Sequence, residues 1–109
     1  MKNLRNKVQL IGNLGADPVI RHFEGGKVLA KLSLATNESY KNTKGEKVQT
    51  TQWHNLIAWG GNARVIEQYL QKGSEIAIEG RLDYQTYEDK EGVKKYFTQV
   101  VINELLMLK

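Results

Sequence analysis

Only one stretch of this chain has a helical period, and it lies between segments that alternate every second residue. In NARVIEQYLQKG, Ala63, Ile66, Tyr69 and Leu70 fall on one stripe, with Asn62 as N-cap, Lys72 in the last turn and Gly73 as the stop. The rest of the core then has to come from strands. KVLAKLSLATN puts Val28, Ala30, Leu32 and Leu34 on one face. SEIAIEGRLDYQTYE sets Ile76, Ile78, Leu82 and Tyr84 against Glu75, Glu79, Arg81, Asp83, Gln85 and Tyr87, with Gly80 marking a bulge or a sharp bend.

The apolar run from Val8 to Leu14 breaks at Asp17-Pro18 and resumes in VIRHF, which reads as one long, bent first strand. Glu24-Gly25-Gly26 is a tight-turn signal, so the second strand pairs back on the first as a hairpin. Residues 38–49 are polar and lack an apolar period, and they are expected to form a long loop carrying Lys41, Lys44 and Lys47. TQWHNLIAW is the third strand, EDKEGVKK a charged hairpin tip, and YFTQVVINELLML the last strand. Three strands, one helix and two strands is the element order of an all-β, five-stranded Greek-key OB-fold barrel with its α-helix between strands three and four. The chain is long enough for one such domain over residues 1–109 and too short for a second.

Composition removes several function classes. The chain has no cysteine, which excludes disulfides, a thiolate nucleophile and Cys-based zinc sites, and its two histidines lack ligand spacing, so neither a cofactor nor a metal is expected. No P-loop, GxSxG or HExxH occurs, which argues against an enzyme. The N-terminus has no apolar signal region and no segment has the length of a membrane span, so a soluble, cytoplasmic protein is expected. The net charge of +4 fits a polyanionic partner without requiring one.

Both tryptophans lie in TQWHNLIAW, where parity groups Trp53 with Asn55, Ile57 and Trp59, and His54 with Leu56 and Ala58. Large strand aromatics generally fill cores, and Tyr84 and Phe97 are read that way, as is Tyr69 on the helix stripe. Tyr87 differs, because its face of the strand is otherwise polar. Binding a single-stranded nucleic acid needs aromatic faces for stacking and a positive path for phosphates. Tyr40, at the root of the lysine-bearing segment, Trp53, Trp59 and Tyr87 supply the first ingredient, and Trp53 and Trp59, about 20 Å apart along a strand, would be separate platforms. The lysines of residues 38–49 fit either phosphate contacts or a merely solvated loop.

NKVQLIGNLGADPVIRHFEGGKVLAKLSLATNESYK, TQWHNLIAW, YLQKGSEIAIEGRLDYQTY and KKYFTQVVI, all in register, resemble bacterial single-stranded DNA-binding protein over nearly the whole chain. The resemblance implies DNA-stacking roles for Tyr40, Trp53, Trp59 and Tyr87, with Asn55 on the same face as the tryptophans. It also implies a homotetramer wrapped by single-stranded DNA at the nucleoid, with His54 near a subunit contact. Where that family often carries a basic residue just before the fourth-strand aromatic, this chain has DYQTY, so phosphate contacts are assigned to Lys7, Lys41, Lys44 and Lys72. The family usually continues into a polar linker with an acidic tip, whereas this sequence stops at LLMLK, and partners recruited through such a tail are not expected. The expected function is sequence-tolerant binding and protection of single-stranded DNA in replication, recombination and repair. The alternative is an adaptor barrel working through protein contacts; remoter alternatives are an enzyme subunit and an oligosaccharide-binding barrel.

Overall fold

The computed structural model describes residues 4–108, and in it the two-residue alternation becomes a sheet that closes on itself. The elements are β1 (Val8–Leu14), β2 (Val19–His22), β3 (Val28–Lys41), β4 (Lys47–Trp59), α1 (Gly61–Tyr69), β5 (Glu75–Glu88) and β6 (Lys94–Met107). The strand order is β1-β5-β6-β4-β3-β2, and β1 also pairs with β3 through Asn13↔Ala35 and Leu14↔Leu34, which closes the ring. With β1 and β2 as the two halves of a bent first strand, this is the five-stranded OB barrel, its helix between the third and fourth strands.

The first strand is divided rather than continuous. Pro18 has no N–H for a ladder, and the segment before it is held by other bonds: Gly15 N–H donates to the Ser33 carbonyl, and Asp17 Oδ1 accepts from Lys72 N–H at 2.7 Å. A 3-10 turn at Glu24–Gly26 then returns the chain, and β2 pairs with β3 from Val19↔Lys31 to His22↔Val28 as a hairpin.

Inside the barrel, Leu34, Leu56, Ile66 and Ile76 are fully enclosed, together with Leu32, Ile78, Val100 and Ile102. The helix closes one end with Ala63, Ile66 and Leu70, as its stripe predicts, but Tyr69 is 59% exposed and not part of the core. Asn62 does not cap the helix either. Gly60 holds the N-cap position without a side-chain bond, and Asn62 Nδ2 instead donates to the Asn103 carbonyl of β6. The helix ends at Tyr69, ahead of the expected stop at Gly73. A 2.8 Å contact between His22 Nε2 and Glu67 Oε2 ties β2 to the helix.

Two hairpins project beyond the closed part: the charged tip expected at EDKEGVKK is one of them, but the loop expected over residues 38–49 and the core places expected for Leu82 and Tyr84 are not found. Residues 38–49 are not a long loop: β3 and β4 stay paired through Asn37↔Thr51 and Tyr40↔Val48 to Lys41↔Lys47. The turn is short, with Asn42 Oδ1 accepting from the N–H groups of Lys44 and Glu46. A ribbon with both faces in water needs no apolar period, which is why its strands looked like a loop. The β5–β6 ribbon likewise runs out to Glu88↔Lys94, closed by Asp89 Oδ1 accepting from Glu91 and Val93 N–H. Beyond the barrel rim the inner parity of β5 has nothing to pack against, so Leu82 and Tyr84 are exposed rather than core.

Gly80 marks the bulge that the sequence suggests, between Glu79 and Gly80 where the β5–β6 register shifts. A Cβ at this position would lie 2.2 Å from the Val101 carbonyl oxygen. Among the described residues no helix is long and apolar enough to cross a membrane.

Candidate nucleic-acid interface

The outer surface of the barrel can be assembled from register alone. Paired residues in a sheet point to the same side, and β4 alternates cleanly: Leu56 and Ala58 are buried, His54 is half-buried, and Trp53, Asn55 and Trp59 are exposed. On β3 the outer partners are Ala35 beside Trp53, Ser33 beside Asn55 and Leu29 beside Trp59. The parallel pair Ile57↔Val101 carries the same face onto β6, and Arg81↔Val101, Asp83↔Gln99, Gln85↔Phe97 and Tyr87↔Lys95 carry it onto β5. One continuous outer face therefore holds Trp53, Asn55, Trp59 and Tyr87.

Two supports fix the tryptophans. Trp59 lies against Phe23, ring centroids 6.1 Å apart, at the end of the β2–β3 hairpin. Trp53 lies over the bare backbone of Gly15, where a Cβ would stand 2.3 Å from its ring carbon Cζ3. Gly15→Ala is thus expected to displace the Trp53 ring. It should change the tryptophan emission of the free protein and weaken oligo(dT) binding toward the level of Trp53→Ala; unchanged emission and affinity would contradict the contact.

Tyr87 has a ring partner too: Phe97, with centroids 6.0 Å apart. Phe97 is 41% exposed and shares the outer face, so its reading as core is corrected. The signal was present in the sequence, because Val100 and Ile102 are the buried parity of β6 and Phe97 has the opposite one. Tyr40 is exposed but sits apart. Its register partner is Val48, of the same parity as His54, so it occupies the other side of the β3–β4 ribbon from Trp53.

The cations divide similarly. Lys41 and Lys47 face one another at the end of the ribbon, on the parity of Trp53, and Lys44 is exposed in the turn. Lys7 is engaged with Glu79 at 2.9 Å, and Lys72 is exposed after the helix with its backbone N–H bound to Asp17. His54 Nε2 lies 2.9 Å from Thr36 Oγ1, a part-buried contact within the chain. No group of three or more His, Asp or Glu side chains that could hold a metal ion occurs among the described residues.

Sequence reasoning missed an acidic node in the middle of this face. Asp83 Oδ2 accepts from Gln85 Nε2 at 2.6 Å and from Gln99 Nε2 at 3.1 Å. Those bonds, from Gln99 first and then Gln85, hold its carboxyl below the ordinary value of 3.8, with the Arg81 charge adding to them against partial burial.

Comparison with known proteins follows the same lines. The model of a family described as the single-strand binding protein family matches residues 5–108. A protein of Xylella fastidiosa named single-stranded DNA-binding protein 1 is 43% identical over 104 residues, covering 94% of this chain and 76% of that one. A protein of the same name from Chlorobaculum tepidum is also 43% identical over 104 residues, and there the chain spans 64% of the relative's length. Among solved structures, the Plasmodium falciparum SSB in complex with ssDNA superposes with a TM-score of 0.89 at 29% identity, covering 100% of this chain and 99% of that one.

Proposed function

Because the chain belongs to the single-strand binding protein family, we propose that it binds single-stranded DNA, tolerantly of sequence, and protects it during replication, recombination and repair. It does so as a binding protein and not as an enzyme. The observation that carries this reading is the outer face itself: exposed Trp53 and Trp59 on β4, continuous through Val101 with the Tyr87–Phe97 pair, and bordered by Lys41 and Lys47. Large aromatics left half in water gain further burial when a flat partner covers them.

In this reading Trp53, Trp59 and Tyr87 stack bases and Asn55 hydrogen-bonds between them. Tyr40 meets the strand where it passes around the β3–β4 ribbon. Lys41, Lys44 and Lys72 contact phosphates, and Lys7 does so only by leaving Glu79. The test is a titration of tryptophan fluorescence with oligo(dT) at two salt concentrations, duplex DNA serving as control. Quenching by single strands alone is expected, and the absence of both quenching and binding would overturn the proposal. Trp53→Ala and Trp59→Ala should each cost about 1 to 3 kcal/mol per stacked base lost. Lys41→Ala should lower the slope of log K against log salt by about 0.7.

Self-association up to a homotetramer belongs to the same proposal, with His54 near a contact between copies. It is supported by an apolar row running across β1, β5 and β6, exposed at Ile11 and Leu106 with the half-buried Ala77 between them. Sedimentation equilibrium tests it: a tetramer is expected, and a monomer at micromolar concentration would remove it.

A further inference from the structure

The acidic node at the centre of the outer face is out of place on a surface meant for a polyanion. Asp83 pairs across the ribbon with Gln99, between the tryptophans of β4 and the Tyr87–Phe97 pair. A carboxylate has only acceptor lone pairs, so both glutamine amides must turn their NH2 groups toward it, and that fixes their orientation. Oδ2 takes both of those bonds. Among the described residues Oδ1 takes none: Arg81 Nη1 stands 3.9 Å from it, too far for a hydrogen bond, and the side chain remains a quarter exposed. The face thus presents one oriented, ionised acceptor with open lone pairs, at a place where a phosphate would be repelled.

Resting on the nucleic-acid reading above, we propose that Asp83 is a base-reading residue. The strand passes it with a base edge rather than its backbone toward β5, and Oδ1 accepts an N–H from an exocyclic amino group. Cytosine N4, adenine N6 and guanine N2 can donate; thymine has no amino group, and its one ring N–H lies between two carbonyl oxygens that a carboxylate opposes. Gln85 and Gln99 are positioning residues, holding the carboxylate in place and ionised. The result is a compositional bias from hydrogen-bond readout, laid over stacking that accepts any base and over the modest preferences that stacking strength and backbone flexibility give by themselves.

The experiment compares affinities for oligo(dC) and oligo(dT) in the wild-type chain, in Asp83→Leu and in Asp83→Asn. The ratio is the readout, because removing a negative charge from the face strengthens binding to every strand alike and cancels. Asp83→Leu is expected to shift the ratio toward oligo(dT) by about fivefold, the lower end for one such contact since the site is partly wet. Asp83→Asn, which keeps one acceptor oxygen, should shift it less. Tryptophan quenching by both strands in all three proteins shows that the stacking face is intact. An unchanged ratio, or a shift toward oligo(dC), overturns the inference while leaving the binding function standing. Failure of the wild-type chain to bind either strand overturns both.

Discussion

Leu56→Ala should lower the free energy of unfolding by about 2 to 5 kcal/mol, the range for emptying a fully packed leucine site. Leu56 is 1% exposed, and it pairs with Leu32 of β3 on one side and Val100 of β6 on the other, so the vacated volume is bounded by strands that cannot collapse into it. The substitution lies between the two tryptophans in sequence and on the opposite side of the strand. It should therefore leave the affinity of the folded molecules for oligo(dT) unchanged. Urea unfolding paired with a titration under native conditions reads both quantities. A loss below about 1 kcal/mol would show that the barrel interior is looser than its burial indicates.

The second large effect is expected at Gly80. An alanine methyl there meets the Val101 carbonyl oxygen at 2.2 Å and Val100 Cγ1 at 2.9 Å, and the first of these is backbone that moves only if the β5–β6 ladder opens. We expect Gly80→Ala to cost about 3 kcal/mol, at the upper end for an overpacked site. Gly61→Ala is the matched control, since a Cβ at that helical position has nothing within 4 Å. Gly61→Ala is expected to lose nothing, since a stiffer chain favours the folded state, and a comparable loss there would show that the effect at Gly80 does not come from the close approach at the bulge.

How much of this was legible in the sequence depended on whether one face of a strand was covered. In β4 the alternation rule sorted Trp53, Asn55 and Trp59 from Leu56 and Ala58 correctly, because the barrel interior gives one parity a place to be buried. In the two projecting ribbons no such interior exists. By its parity with Ile76 and Ile78 Tyr84 reads as core, yet the strand has by then left the barrel, and Tyr84 is 73% exposed. The β3–β4 ribbon reads as a loop for the same reason in reverse: paired strands without an apolar period leave only polar composition to read. Asn62 shows a different limit. Its type and place suit a helix cap, but a carbonyl on β6 competes for the side chain, and that carbonyl is invisible from local sequence. The Asp83 node needed the pairing of two strands to bring Gln99 beside Asp83, which no spacing within either segment announces.

The ring of strands is held shut at β4 and β6 by two parallel pairs, Leu56↔Val100 and Ile57↔Val101. Every other strand neighbour in the barrel is antiparallel. That seam joins the middle of the chain to nearly its end, so it can form only after the last strand has been made. Until then β4 keeps an open edge, with Leu56 and the rest of the interior unsealed. Joining such distant segments takes a large loss of chain freedom before any contact repays it, which sets the timescale of folding by the slowest closure rather than by the helix. A nascent chain that halts before Val100 would carry both tryptophans and most of the barrel's apolar residues, but it would have no closed barrel on which to display them.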